Sequence, residues 1–166
     1  MRNNLSLLLL GILIASTACK KDNTTEYERG ALLTNLADNL ILPDYDTFYN
    51  ELGQLETSIA TFNGATSADN LVSVRNAFID AYIAFQHVKM YDFGPASDYA
   101  FKSACNTYPT DTAKINANIA SGSYILGAAE NTIAIGFPAL DYLLYDGGDL
   151  EVLNRYASTT IDSVEI

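Results

Sequence analysis

A chain of 166 residues is one domain's worth of polypeptide, long enough to bury a core. Its 49% hydrophobic and 17% charged residues exclude a disordered chain. Nine basic against twenty acidic side chains, a net charge of −11, exclude nucleic acid as a partner, because nothing here neutralises a run of phosphates. Acidity on this scale is what solubility alone requires and does not by itself single out a cation.

Residues 1–18 read as a signal peptide. Arg2 supplies the positive charge, and Leu5 to Ala15 supply an apolar run of eleven residues. That is shorter than the ~20 residues of a membrane span and suits a secretory segment that is removed. Small residues then lead to Cys19, followed by Lys20 and Lys21. This order resembles the lipobox of bacterial lipoproteins, although Ser16 stands where Leu is commoner. It implies acylation at Cys19, a membrane partner through that anchor, and a cell-envelope address, the outer membrane first. Ordinary secretion with cleavage near Ala18 is the alternative. With Cys19 lipidated, Cys105 has no partner for an intrachain disulfide and reads as a small buried hydrophobe.

Residues 19–25 form a polar tether, and residues 26–166 read as one helical domain. Leu32, Leu36 and Leu40 recur every four residues until Pro43, which predicts a break or kink just after Leu42. Tyr45, Phe48, Leu52, Leu55, Ile59 and Phe62 then step by three and four, as an amphipathic helix does. Gly64 is available for a left-handed end to that helix, and Ser67 for the cap of the next. The second row is Leu71, Val74, Phe78, Ala81, Phe85 and Val88, stopped by Phe93-Gly94-Pro95. Two such helices joined by a short turn predict an antiparallel pair. No segment alternates as a strand would, so the fold class is all-α, an antiparallel helical bundle.

From Ala96 to Asn131 the pattern weakens. A short helix capped by Thr110 or Asp111 is expected, then a long loop or irregular helix through Gly122 and Gly127. Pro138 sits well in the first turn of a further helix, with Leu140, Leu143 and Leu144 as its buried face and Asp141 and Tyr145 along the border. Gly147-Gly148 ends it, and Asp149 caps a last helix still running at Ile166. That unfinished helix reads as part of a longer protein.

Three stretches carry a resemblance. They are "LILPDYDTFYNELGQL" around Pro43, "AFIDAYIAFQHVKMYDFGP" from Ala77 to Pro95, and "GFPALDYLLYDGG" from Gly136 to Gly148. Together, with "NRYAS" after them, they resemble the imelysin family of exported bacterial proteins over most of Tyr27 to Ile166. The resemblance implies two related four-helix bundles, of which this chain covers about the first. It also implies a family first described as peptidases, with related domains linked to iron uptake.

The family's Gly-x-His-x-x-Glu motif falls on Gly136, Pro138 and Asp141, so its histidine is replaced by proline and its glutamate by aspartate. A glutamate four residues before the Phe-Gly-Pro turn is replaced by Lys89. Proline offers no ligand atom, and a lysine repels a metal ion. The leading reading is therefore a degenerate, non-catalytic binding protein with an envelope protein or small ligand as partner. The alternative is an iron- or other divalent-cation-binding protein of an uptake system, using Asp141, Tyr145 and Asp146 as oxygen ligands. A metallopeptidase ranks last, because the lone histidine, His87, belongs to no His-Glu-x-x-His helix. It is expected to face solvent or the edge of its helix's apolar row. An exposed aromatic groove from Tyr82, Tyr91, Tyr142 and Tyr145 would favour the first reading, and converging carboxylates the second.

Overall fold

The computed structural model describes residues 28–157. Cys19, the leader, the tether and the end of the last helix lie outside the described residues. The chain divides into two units, one ending at Thr34 and one running from Asn35. The first helix, α1 (Arg29–Leu36), buries none of its residues, and Leu32, Leu36 and Leu40 are all exposed. The core and the motif helix belong to the second unit.

Pro43 does not break the helical path. Ala37–Ile41 forms a π-helical turn in which the Leu42 N–H donates to the Ala37 carbonyl, five residues back. Pro43 then enters the first turn of α2 (Leu42–Gly64). The expected break is thus a widened turn, a known way of relieving the clash between a proline ring and the preceding carbonyls.

Of the six apolar positions read for α2, Phe48, Leu55 and Phe62 are buried, Tyr45 and Ile59 half-buried, and Leu52 exposed. Gly64 does not take the left-handed conformation. It ends the helix in ordinary geometry, and the extended Ala65 turns the chain, its carbonyl accepting from Asn70 Nδ2 at 2.7 Å. The predicted cap does form: Ser67 Oγ accepts from the Asn70 N–H at 3.2 Å and opens α3 (Ala68–Val88).

Helix α3 is the centre of the fold. All six apolar residues predicted for it are buried, and so are Ala77 and Ala84. The two alanines are needed because α3 packs on more than its hairpin partner: α2 lies on one side, and two later helices approach from another. Gly94 and Ala100, both left-handed, bracket the short α4 (Pro95–Asp98), and α5 (Phe101–Cys105) follows. Neither of these two short helices shows a clear signal in the residue pattern. Next comes α6 (Thr112–Ser121), capped by Asp111, whose carboxylate accepts from the Lys114 N–H at 2.9 Å. A loop then leads to a 3-10 turn, Ala129–Ala134. Helices α7 (Gly136–Tyr145) and α8 (Asp149–Ala157) complete the described chain, which is helical at every element among the described residues.

Four helices, α2, α3, α7 and α8, line one core. Its centre is aromatic. Phe85 is fully buried with ring centroids 5.3 Å from Phe137, 5.9 Å from Phe48 and Phe101, and 6.3 Å from Tyr82. A smaller cluster of Ile115, Ala134 and Ala139 packs on the opposite side of α7, with Tyr142 and Leu143 against it. Buried Asn131 stitches that side, donating to the Ile125 carbonyl and accepting from Asn118.

Candidate functional site

Because α7 is covered on two sides, its buried face differs from the expected leucine row. Phe137, Ala139 and Leu144 are buried, while Leu140 and Leu143 are half-buried. Phe137 and Leu144 join the aromatic core, and Ala139 turns to the second cluster. A helix packed on two neighbours has a wide apolar arc, and only the narrow remainder reaches water. Asp141 and Tyr145, four residues apart, lie in that remainder and are exposed.

The start of α7 is set by backbone contact. Gly136 has φ +78, and a Cβ placed on it would lie 2.4 Å from the Cys105 carbonyl oxygen and 2.9 Å from that of Ala104. The last carbonyls of α5 therefore meet the N-terminal end of α7, where the helix dipole favours negative charge. Pro138 lies half-buried in the first turn, where the orphan N–H groups make its missing donor harmless. Half-buried Cys105 has its thiol pushed up to about 11 by burial, so it stands as a protonated, apolar group at neutral pH.

The end of α7 is held by two arginines from other helices. Arg75 of α3 donates from Nε to the Leu144 carbonyl at 2.9 Å and pairs with Asp149 at 2.6 Å, its guanidinium 4.8 Å from the centre of the Tyr145 ring. Arg155 of α8 donates to the carbonyls of Leu143 at 3.4 Å and Asp146 at 3.1 Å, and to the Asp146 carboxylate at 3.3 Å. Its guanidinium lies 5.7 Å from the centre of the Tyr142 ring. The carbonyls that a helix end leaves unpaired are thus taken by cations. This also accounts for Asp146, a carboxylate at the disfavoured end of a helix dipole, and it corrects the reading of Asp149. Asp149 is the first residue of α8, with its carboxylate turned to Arg75, and not the cap. Replacing Arg75 by alanine is expected to lower stability by about 2–3 kcal/mol, the usual range for losing charge-assisted bonds in a half-buried setting. Urea unfolding checks it, and Arg75→Lys, which keeps the charge and loses the planar fork, should fall between.

The other singled-out residues are scattered. Lys89 is exposed and donates to Gln86 Oε1, and His87 is exposed. Tyr82 is stacked between Phe78 and Phe85 within the core. The Tyr91 hydroxyl donates to Asp44 at 2.6 Å, and that bond raises its pKa. Tyr142 accepts from Asn116 at 2.9 Å on the other side of α7. These tyrosines are engaged separately and do not line one groove. The sequence reading missed Arg75 and Arg155. The available signal was an arginine one position after the buried Val74, on the flank of an otherwise apolar row.

A family model for imelysin (peptidase M75) matches residues 41–164. The chain belongs to the imelysin family. Iron-regulated protein A of Synechococcus elongatus is 31% identical over 86 residues, which cover 49% of this imelysin and 24% of that protein. The match thus spans about a quarter of the curated relative's length. No solved structure matches.

Pro138, Asp141, Tyr145 and Asp146 do not form a set that fits a metal ion. Pro138 has no donor atom, and Asp141 faces water. Asp146 is engaged by Arg155, and Tyr145 lies beneath the Arg75 guanidinium. Burial raises the Tyr145 pKa, with the Arg75 charge opposing and Asp141 adding. Among the described residues, no group of three or more His, Cys, Asp or Glu side chains is placed to hold one ion.

Proposed function

We propose that this chain is a non-catalytic binding protein of the imelysin family, exported and lipid-anchored in the cell envelope through Cys19, with an envelope protein or small ligand as its partner. The observation that carries the reading is the environment of the motif helix. The two guanidiniums lie where the alternative would put a cation, and Asp141 is left alone at the surface. An iron-binding role in an uptake system is the second reading, and the relative named iron-regulated protein A gives it an iron-related context.

Calorimetric titration of ferrous, ferric and zinc ions separates the two. The first reading expects no stoichiometric binding by the protein or by its Asp141→Ala variant, and no peptide hydrolysis by either. Stoichiometric iron binding that disappears in Asp141→Ala would make the second reading the function. The anchor is tested by labelling cells with a radioactive fatty acid, which should mark the protein and fail to mark a Cys19→Ser variant. Among the described residues no helix is long and apolar enough to cross a membrane.

A further inference from the structure

Among the described residues, helix α5 is held to the other elements by packing and not by hydrogen bonds. The Ala104 N–H donates to the Ala100 carbonyl at 2.9 Å, Asn106 to Lys102 at 3.1 Å, and Thr107 Oγ1 to Ser103 at 2.7 Å. Bonding to another element resumes at Thr110 and Asp111, which both donate to the Ile133 carbonyl. Between Val88 and Ile115 no residue is buried. What keeps α5 in place is packing at its two ends. The half-buried Phe101 ring lies 5.9 Å from Phe48 and Phe85 and 6.0 Å from Tyr45, centre to centre. At the other end, the Ala104 and Cys105 carbonyls close on Gly136 at the start of α7.

The joint before α5 is strained. Ala100 sits at φ 51 and ψ 37, a left-handed conformation that costs an alanine more than a glycine. Its side chain is exposed, so no burial offsets that cost. Such a conformation persists because contacts beside it hold it, and here those are the contacts of Phe101 and Cys105. The Ala100 N–H bonds backward to the Ser97 carbonyl at 3.0 Å, and its own carbonyl bonds forward to Ala104. Rotation at Ala100 therefore swings α5 off the core without breaking a hydrogen bond to another element. It also relieves the strain.

We propose that residues 101–107 are a latch over the start of α7, hinged at Ala100, that opens while the rest of the core stays folded. Opening uncovers the Gly136 backbone and the Cys105 thiol. A helix of five residues does not persist in water once it leaves the core, so its amides exchange in the open form. Anything that grips the first turn of the motif helix binds that open form, with an affinity reduced by the fraction open.

The test is thiol labelling of the full chain carrying Cys19→Ser, which leaves Cys105 as its single cysteine. The probe is an aromatic disulfide: the Cys105 thiolate attacks one sulfur, forms a mixed disulfide, and releases an aromatic thiolate read by absorbance. Burial pushes the closed thiol up to about 11, so labelling at neutral pH reports the open form. The expected rate is well below that of a free cysteine and changes little in urea below the unfolding transition. Ala100→Gly should slow labelling about fivefold, because glycine removes the strain from the closed form. Phe101→Ala should speed it by about tenfold or more, because the ring's contacts hold the latch down. Val152→Ala, which weakens the core at α8, should leave the rate unchanged. Hydrogen exchange at the Ala104 and Asn106 amides should shift by the same factors as labelling. A rate indifferent to Ala100→Gly means that the thiol reacts without the hinge moving, and overturns the proposal even if Phe101→Ala does not fold. A rate that rises with Val152→Ala in step with lost stability means that α5 opens only with the whole fold, and overturns it too.

Discussion

Gly136→Ala is expected to destabilise the protein by about 2–5 kcal/mol, combining a left-handed backbone that a side chain resists with overpacking against a neighbour that cannot yield. The neighbour is backbone: the new Cβ would lie 2.4 Å from the Cys105 oxygen and 2.8 Å from its carbonyl carbon. Unlike the tip of a flexible side chain, that carbonyl moves only if α5 or α7 moves. Shifting α7 would pull Phe137 from the aromatic core, so the loss should be cooperative and visible as a lowered urea midpoint. Gly148→Ala is the control. Nothing lies within 4 Å of a Cβ there, its φ is outside the left-handed range, and its effect should stay within about 0.5 kcal/mol. A Gly136→Ala protein as stable as the parent would show that α7 does not start against α5. Gly136 thus serves close packing of the start of α7 on the end of α5.

Phe85→Ala should cost about 3–5 kcal/mol, the usual range for emptying a buried aromatic site. Four rings surround it, from α2, α3, α5 and α7, so no single helix can collapse into the space. For a chain of this length the loss should lower the thermal midpoint by on the order of 10 °C. Phe85→Leu, which fills most of the volume, should fall much less. A loss below about 1 kcal/mol for the alanine variant would place Phe85 at the edge of the core. Both losses are large fractions of the ~5–15 kcal/mol that holds a domain folded.

The two long helices were legible because their information is local. The rows from Phe48 to Phe62 and from Leu71 to Val88 repeat at the helical period, and Ser67 and Asp111 cap through atoms three residues away. Proline's lack of an N–H was legible too. Its consequence was less so, since a π turn and a break are alternative answers to the same clash. The short helices around Gly94 and Ala100 left no periodic signal, since four or five residues are too few to show one.

What the sequence by itself determined is the helical class, the hairpin of α2 and α3, the family, and the absence of a ligand atom at Pro138. All of these follow from residue identity and from spacing along the chain. What only the tertiary structure decided is the meaning of the motif helix. Its two packed sides left Asp141 to water, and Arg75, sixty-nine residues before Leu144, reached across to its carbonyl. Such contacts depend on which helix faces which, and that is settled by burying the largest apolar surface at once, not by any local pattern.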